Sequence, residues 1–337
     1  MARAGWTARA RSLGRKLVRV LVGGGCAGLL AATSGIAWEA GQRRTFEQAG
    51  HRPPGKLVDV GGRRLHLVCA GMGEPGVMLV SGMGGSFAAW DVPFRDSIAR
   101  FTRVCAYDRA GIGWSDPADT PRTADAAARD LAALLDAARP FDAPLILVGH
   151  SIGGLYAHRY ATTYAGGVAG LVLVDPTTEQ LYETAADWRS DLVYRVLWPA
   201  LGRLGIVRFR FLRTWSGLES DSLARLAGVA SGYTAARAAA REYAGLEGSL
   251  RAVAGRRSDA SLAVPVVVLS ARRPADAGDG DRSRARRQDT RRASHARLAA
   301  GSPNGRMIEL SSGHYIFRDR PDTVVAMIRS MVEQSRP

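Results

Sequence analysis

The sequence predicts an α/β protein in which a mostly parallel sheet is covered by helices on both faces. Three observations predict it. Short, almost wholly apolar runs recur along the chain, as in strands buried on both faces. Stretches with apolar residues at helical spacing lie between them, and that alternation builds parallel sheets. The 337 residues, 46% of them hydrophobic, suit one large domain once an N-terminal segment is set aside.

Arg3, Arg9, Arg11, Arg15, Lys16 and Arg19 come first, with no acidic residue before position 20. Residues 20–38 are then uncharged over about the length that spans a bilayer core. The expected arrangement is a basic segment at 1–19 in the cytoplasm, a transmembrane anchor or signal segment at 20–38, and a single-pass protein in the cell membrane whose main domain is extracytoplasmic. Glycines dilute the apolar segment, and Gly35 and Ala37 suit a cleavage site. Secretion after signal cleavage therefore stands as an alternative, as does a buried or amphipathic helix. Residues 39–55, with mixed charges and Pro53-Pro54, read as a linker.

Strands follow. The runs 57–60 and 65–69 flank Gly61-Gly62 and read as a hairpin. The runs 77–80, 104–107, 145–148, 171–174, 264–269 and 307–310 complete an eight-stranded set. Residues 124–138, 152–164 and 323–334 carry helical patterns. The interval 176–263 is helical in pattern, aromatic-rich and without a convincing strand. It reads as an inserted helical lid between core segments 56–175 and 264–337.

The formal charge of +15 invites nucleic acid as a partner. Its distribution argues otherwise. All basic residues except Lys16 and Lys56 are arginine, amid abundant Ala and Gly, which looks like coding bias. The Arg-rich stretch 272–297 interleaves Asp276, Asp279, Asp281 and Asp289 and reads as a solvated loop and helix. No nucleic-acid partner is expected. Absence of metal-ligand spacing among Cys and His implies no metal, and no cofactor is expected.

The strongest local signal is Gly149-His150-Ser151-Ile152-Gly153-Gly154, after one apolar run and before a helical pattern. Serine at a sharp strand-to-helix turn projects its hydroxyl, and glycines permit the close backbone approach. The helix beyond it offers free N–H groups where oxyanion charge develops. Together with Ser81-Gly82-Met83-Gly84-Gly85, Asp108-Arg109-Ala110-Gly111, Val174-Asp175-Pro176 and Ser312-Gly313-His314, this elbow makes the chain resemble the α/β-hydrolase superfamily from about Lys56 onward. Within it, the chain looks like the membrane-anchored or secreted serine hydrolases of GC-rich actinobacteria. The resemblance implies the α/β-hydrolase fold with an eight-stranded sheet and helical lid.

It also implies site residues. Ser151 is the expected nucleophile and His314 the base. His51, His66, His158 and His295 fit that place less well. Asp175, at the end of the sixth strand, is the favoured acid, with Asp276 after the seventh strand as the alternative. The oxyanion donors would be the amides of Met83 and Ile152. Asp108 and Arg109 take a scaffold role in this resemblance, and Trp90 packs beneath the oxyanion loop. Gly82, Gly84, His150, Trp188 and Tyr194 are the expected substrate-binding residues. Trp188, Leu192, Val193, Val196 and Leu197 share one helical face, as an apolar roof or as packing within the lid. Cys69 and Cys105 end strands that neighbour each other in this fold. A disulfide between them and a pair of buried thiols are equally compatible with the sequence.

The expected function is acyl transfer by a carboxylesterase-like serine hydrolase acting on a small ester or related acyl substrate. Serine at the elbow argues against dehalogenase and epoxide hydrolase chemistry, which the resemblance associates with aspartate. Aminopeptidase, amidase or perhydrolase activity on the same fold remains open, as does a non-catalytic, membrane-tethered binding protein. The sequence says nothing about oligomeric state.

Overall fold

Alternation of side chains along the strands divides the core into two halves. In the computed structural model, which describes residues 25–26, 28–46, 48–50, 52–118, 120–185, 188–214, 232–254, 262–272 and 282–336, eight strands form one sheet. They are β1 (Lys56–Asp59), β2 (Arg64–Ala70), β3 (Val77–Val80), β4 (Val104–Tyr107), β5 (Leu145–His150), β6 (Val168–Val174), β7 (Val266–Arg272) and β8 (Arg306–Ser311). Their order is β1-β2-β4-β3-β5-β6-β7-β8. The pairings of β2 with β1 and with β4 are antiparallel, and the others are parallel.

Met78, Val80, Leu145, Leu147, Leu171 and Leu173 point to one face, where they meet Leu131, Leu134 and Leu155 of the helices Ala124–Ala138 and Ile152–Thr163. Their neighbours Val77, Leu79, Ile146, Val148, Val172 and Val174 point to the other face, toward Phe94, Ile98, Val324 and Ile328 of the helices Val92–Ala99 and Pro321–Gln334. Residues i and i+1 of a strand serve opposite faces, so a wholly apolar run is what a doubly covered sheet requires.

Among the described residues, the lid comprises the helices Glu179–Ala185, Trp188–Asp191, Leu192–Leu197 (a π-helical turn), Trp198–Arg203, Ile206–Thr214 and the long Gly232–Ala254. The expected apolar stripe is split: Val193 reaches the cavity described below, while Leu192, Val196 and Leu197 are exposed in substantial part.

The expected linker is corrected in its first half. Residues 28–46 are helical, across the boundary drawn at 38/39. Glu39 is buried and accepts two hydrogen bonds from Arg208 of the lid, at 2.7 and 2.9 Å. Its charge therefore anchors the segment, where the mixed-charge sequence reads as a linker. Leu29 and Leu30 on the same helix are 69% and 67% exposed. Among the described residues, no helix is long and apolar enough to cross a membrane. Residues 20–24 and 27 of the expected span lie outside them.

Cys69 and Cys105 face each other across β2 and β4 and are bonded as a disulfide. A denatured, unreduced sample should show one reactive thiol, from Cys26, and three after reduction; three before reduction would contradict the bond. Replacing both half-cystines with serine should cost roughly 3 kcal/mol in urea unfolding, because the bond closes a sizeable loop of the unfolded chain.

Candidate active site

β5 ends at His150, Ser151 takes φ 54° and ψ −123°, and the helix Ile152–Thr163 begins at the next residue. A residue other than glycine in such a conformation stores about 1–3 kcal/mol of strain. The turn is held from both sides. Ser151 N–H donates to Val174 O at 3.1 Å, and Thr177 N–H donates to Ser151 O at 3.0 Å. Glycine is required beside it: a Cβ at Gly149 would stand 2.5 Å from the Gly153 oxygen, and one at Gly153 would strike the Val80 and Ser81 carbonyls. The Ser151 hydroxyl meets Thr177 Oγ1 at 3.5 Å.

One strand over, Asp175 is built the same way. It is the first residue past β6, has φ 43°, and its N–H donates to Leu269 O at 2.8 Å. Its carboxylate is buried. Oδ1 accepts the Ala271 N–H at 3.0 Å, and Oδ2 accepts Nδ1–H of His314 at 2.6 Å. Burial alone would raise its pKa. The His314 hydrogen bond and the Arg291 guanidinium, 3.5 Å away, hold it below the ordinary carboxylate value instead.

His314 lies in the loop after β8. Asp319 ties that loop down by accepting Gly313 N–H at 2.7 Å and the Ser312 hydroxyl at 2.9 Å. With Nδ1–H directed at Asp175, the Nε2 lone pair of His314 is available as a base. His150 packs its ring 4.6 Å from that of His314 and donates Nε2–H to the His314 carbonyl at 3.1 Å. Burial, reinforced by the neighbouring His314, pushes the His150 pKa down to about 3, so its ring stays neutral. Trp90 is fully buried and stacks 5.5 Å from Phe94.

Ser81–Gly84 faces the elbow. Gly85 N–H donates to Gly82 O, and Gly84 N–H donates to Glu242 on the long lid helix. Among the described residues, no acceptor engages the Met83 amide. Ile152 is the first residue of its helix, where N–H groups lack intrahelical partners. Asp108 accepts from Phe87 N–H, Trp114 N–H and His66, which is a scaffold role.

Gly82, Met83, Gly84, His150, Ser151, Tyr194 and His314 line one cavity of about 510 Å³, roofed by Val193 and Trp198. A second, of about 330 Å³, shares Met83, Ser151, Tyr194 and His314 and runs past Asp175 toward Arg291. Trp188 begins the helix Trp188–Asp191, but its side chain lies outside the described residues, as does the alternative acid Asp276.

Sequence reasoning missed three residues and set aside a fourth, His295, as a base. Thr177 touches the serine, and Glu242 touches the loop 81–84. Arg291 and His295 lie one helical turn apart on Arg282–Ala300 and border Asp175. His295 is fully buried between Ser270 Oγ and the Pro176 carbonyl. The four-residue spacing of Arg291 and His295 was the one available signal, hidden in a stretch that reads as a solvated basic face.

A family model described as the alpha/beta hydrolase family matches residues 77–327. The chain is 32% identical over 123 residues to an uncharacterized protein of Schizosaccharomyces pombe, covering 36% of this chain and 22% of that one. It is 36% identical over 111 residues to a putative carbamate hydrolase of Azorhizobium caulinodans, covering 33% and 40%. The chain thus spans less than half the length of these curated relatives. Its fold is similar to that of an enol-lactonase from Burkholderia xenovorans, with a TM-score of 0.57 at 19% identity, over 82% of this chain and 100% of the other.

The depressed His150 pKa carries a pH consequence. Unfolded histidine binds a proton below about pH 6.5, whereas folded His150 does so only near pH 3. Its contribution to stability is therefore complete above about 6.5 and is lost as pH falls toward 3, the loss reaching about 2 kcal/mol at about pH 5. Asp175, with a lowered pKa, loses its contribution only below about pH 4, so it adds nothing to a comparison between about pH 7 and about pH 5. Urea unfolding at about pH 7 and about pH 5 should show that His150→Gln removes part of the wild-type decline; an unchanged decline would contradict the assignment.

Proposed function

Because the chain belongs to the alpha/beta hydrolase family, we propose that it is a serine hydrolase cleaving an ester or related acyl bond, with Ser151, His314 and Asp175 as its triad. The observation that carries this reading is the 2.6 Å contact between Asp175 and His314 beside a strained Ser151 that shares a cavity with the imidazole. His314 Nε2 takes the Ser151 proton as Oγ attacks the substrate carbonyl. The oxyanion forms against the Met83 and Ile152 N–H groups. Its collapse expels the leaving group, which receives the proton from His314. Water then attacks the acyl-enzyme with His314 again as base, releasing the acid and restoring Ser151. Base and nucleophile often draw together only when substrate is bound, which fits a serine hydroxyl now paired with Thr177.

Val193, Tyr194 and Trp198 offer the acyl or leaving group an apolar wall, while the loop 82–84 supplies backbone polarity. Carbamates and enol-lactones, named for one relative and one protein of similar fold, likewise present an acyl carbonyl to a nucleophile. We also propose that the domain works outside the cytoplasm, held at the membrane by its N-terminal segment. The Cys69–Cys105 disulfide and the exposed Leu29 and Leu30 support that placement.

A fluorophosphonate probe should label the wild type and leave Ser151→Ala unlabelled. On an ester and carbamate panel, Asp175→Asn should lower kcat by at least ~10³-fold, through loss of the imidazole's correct tautomer. Absence of labelling, or a fully active Asp175→Asn, would overturn the triad. Expressed in a host of matching envelope, the full chain should sediment with membranes through an alkaline carbonate wash, and a chain lacking residues 1–38 should not; full release of the intact chain would refute the tether.

A further inference from the structure

Arg109, the second residue after β4, is buried beneath the oxyanion loop and makes four hydrogen bonds. Nη1 donates to Ser81 O at 2.6 Å and Nη2 donates to Gly82 O at 2.7 Å. Nε and Nη2 donate to the two carboxylate oxygens of Glu242, at 2.6 and 3.0 Å. Glu242 lies on the long lid helix, is itself buried, and accepts the Gly84 N–H at 2.8 Å. The guanidinium also sits 5.4 Å from the ring centre of Tyr156, on the elbow helix. Ala239, one turn earlier on the lid helix, packs against Gly84 and leaves no room there for a side chain.

The geometry of the peptide bond turns these contacts into a statement about Met83. The Gly82 carbonyl and the Met83 N–H belong to one planar trans peptide, so they point in opposite directions and rotate together. Arg109 grips that carbonyl from the core side, which aims the Met83 N–H the other way, toward the cavity. The next peptide joins Met83 to Gly84, and Glu242 holds its N–H. Both peptides flanking Met83 are thus clamped by one buried ion pair, and half of that pair comes from the lid.

We propose that Arg109 and Glu242 are positioning residues that hold the Met83 amide in its oxyanion-binding orientation, so that the seating of the long lid helix sets the strength of the oxyanion hole. Only Arg can serve the first post, because its planar fork reaches two carbonyls and a carboxylate at once, while a Lys ammonium is a single point charge. The inference rests on the acyl-transfer reading of Ser151.

The test is Glu242→Gln, which keeps the side-chain volume but cannot both accept the Gly84 amide and match the guanidinium charge. Arg109→Gln combined with Glu242→Gln leaves neither charge stranded and guards against simple misfolding. For each variant that melts as a folded protein, kcat on an active ester should fall about 10²-fold, the usual effect of losing one oxyanion donor, with KM within about threefold. Affinity for an alkyl boronic acid, whose tetrahedral adduct uses the hole, should fall in the same proportion, and affinity for the product acid should not. A purely structural role would lower the melting temperature and leave the ratio of boronate to product affinity unchanged; that result would overturn the proposal. Should neither variant fold, hydrogen exchange on the wild type decides: boronate should slow the amides at 83–84 together with those near 242, and an unaffected lid helix would refute the coupling. A wild type without hydrolysis or fluorophosphonate labelling would instead sink the acyl-transfer reading itself.

Discussion

Two residues, Ser151 and Asp175, leave the ends of adjacent parallel strands through left-handed backbone, and everything at the candidate site depends on that shared constraint. Each is the first residue past its strand. Each also keeps its N–H in the sheet by donating to the next strand over, Ser151 to Val174 O and Asp175 to Leu269 O. The chain therefore turns sharply without giving up the last rung of the ladder. A polar side chain is thereby carried out over the carboxyl edge on a rigid base, which is where ligands meet such sheets. The strain is affordable only because surrounding contacts over-determine it: the glycines packed behind Ser151 on one side and the Ala271 amide fixing Asp175 on the other.

Much of the fold was legible because a doubly covered sheet demands runs with no polar interruption. Runs such as 77–80 and 104–107 carry that mark, and the helix at 124–138 carries a clean apolar stripe. Boundaries suffered where chemistry is shared between the strand and the turn beyond it. β5 extends to His150 and β7 to Arg272, because backbone bonding continues past the last aliphatic residue. The elbow, the histidine loop and the aspartate after β6 were visible for the same reason: each sits where an apolar run stops abruptly at a residue able to do chemistry.

What stayed hidden are contacts between residues far apart in sequence whose local surroundings look ordinary. Glu242 lies in an Ala- and Arg-rich helix whose composition gives no sign of burial, yet it is buried against the core 133 positions from its arginine partner. Glu39 reads as the start of a linker, and it is the buried partner of Arg208. Arg291 and His295 read as part of a basic surface. In each case local composition records only that a charge is present. Whether that charge is solvated depends on which distant element docks over it, and no period of 2 or 3.6 carries that information.

These buried charges share a logic. An ion pair withdrawn from water contributes little net stability, because desolvation offsets most of its attraction, but losing one partner is expensive. Such a pair therefore does less to stabilise a docked arrangement than to forbid a misdocked one. Among the described residues the lid carries two: Arg208 clasps the N-terminal helix, and Glu242 clasps Arg109 beneath the loop 81–84. A lid held by apolar contact alone would tolerate sliding by a fraction of a helical turn. One that must keep Glu242 opposite Arg109 has a single register, and that register places Ala239 over Gly84, with Tyr194 in the wall of the cavity. Specific seating of the lid and orientation of the Met83 peptide are on this view one property, enforced by the same four nitrogen-to-oxygen contacts of a single guanidinium.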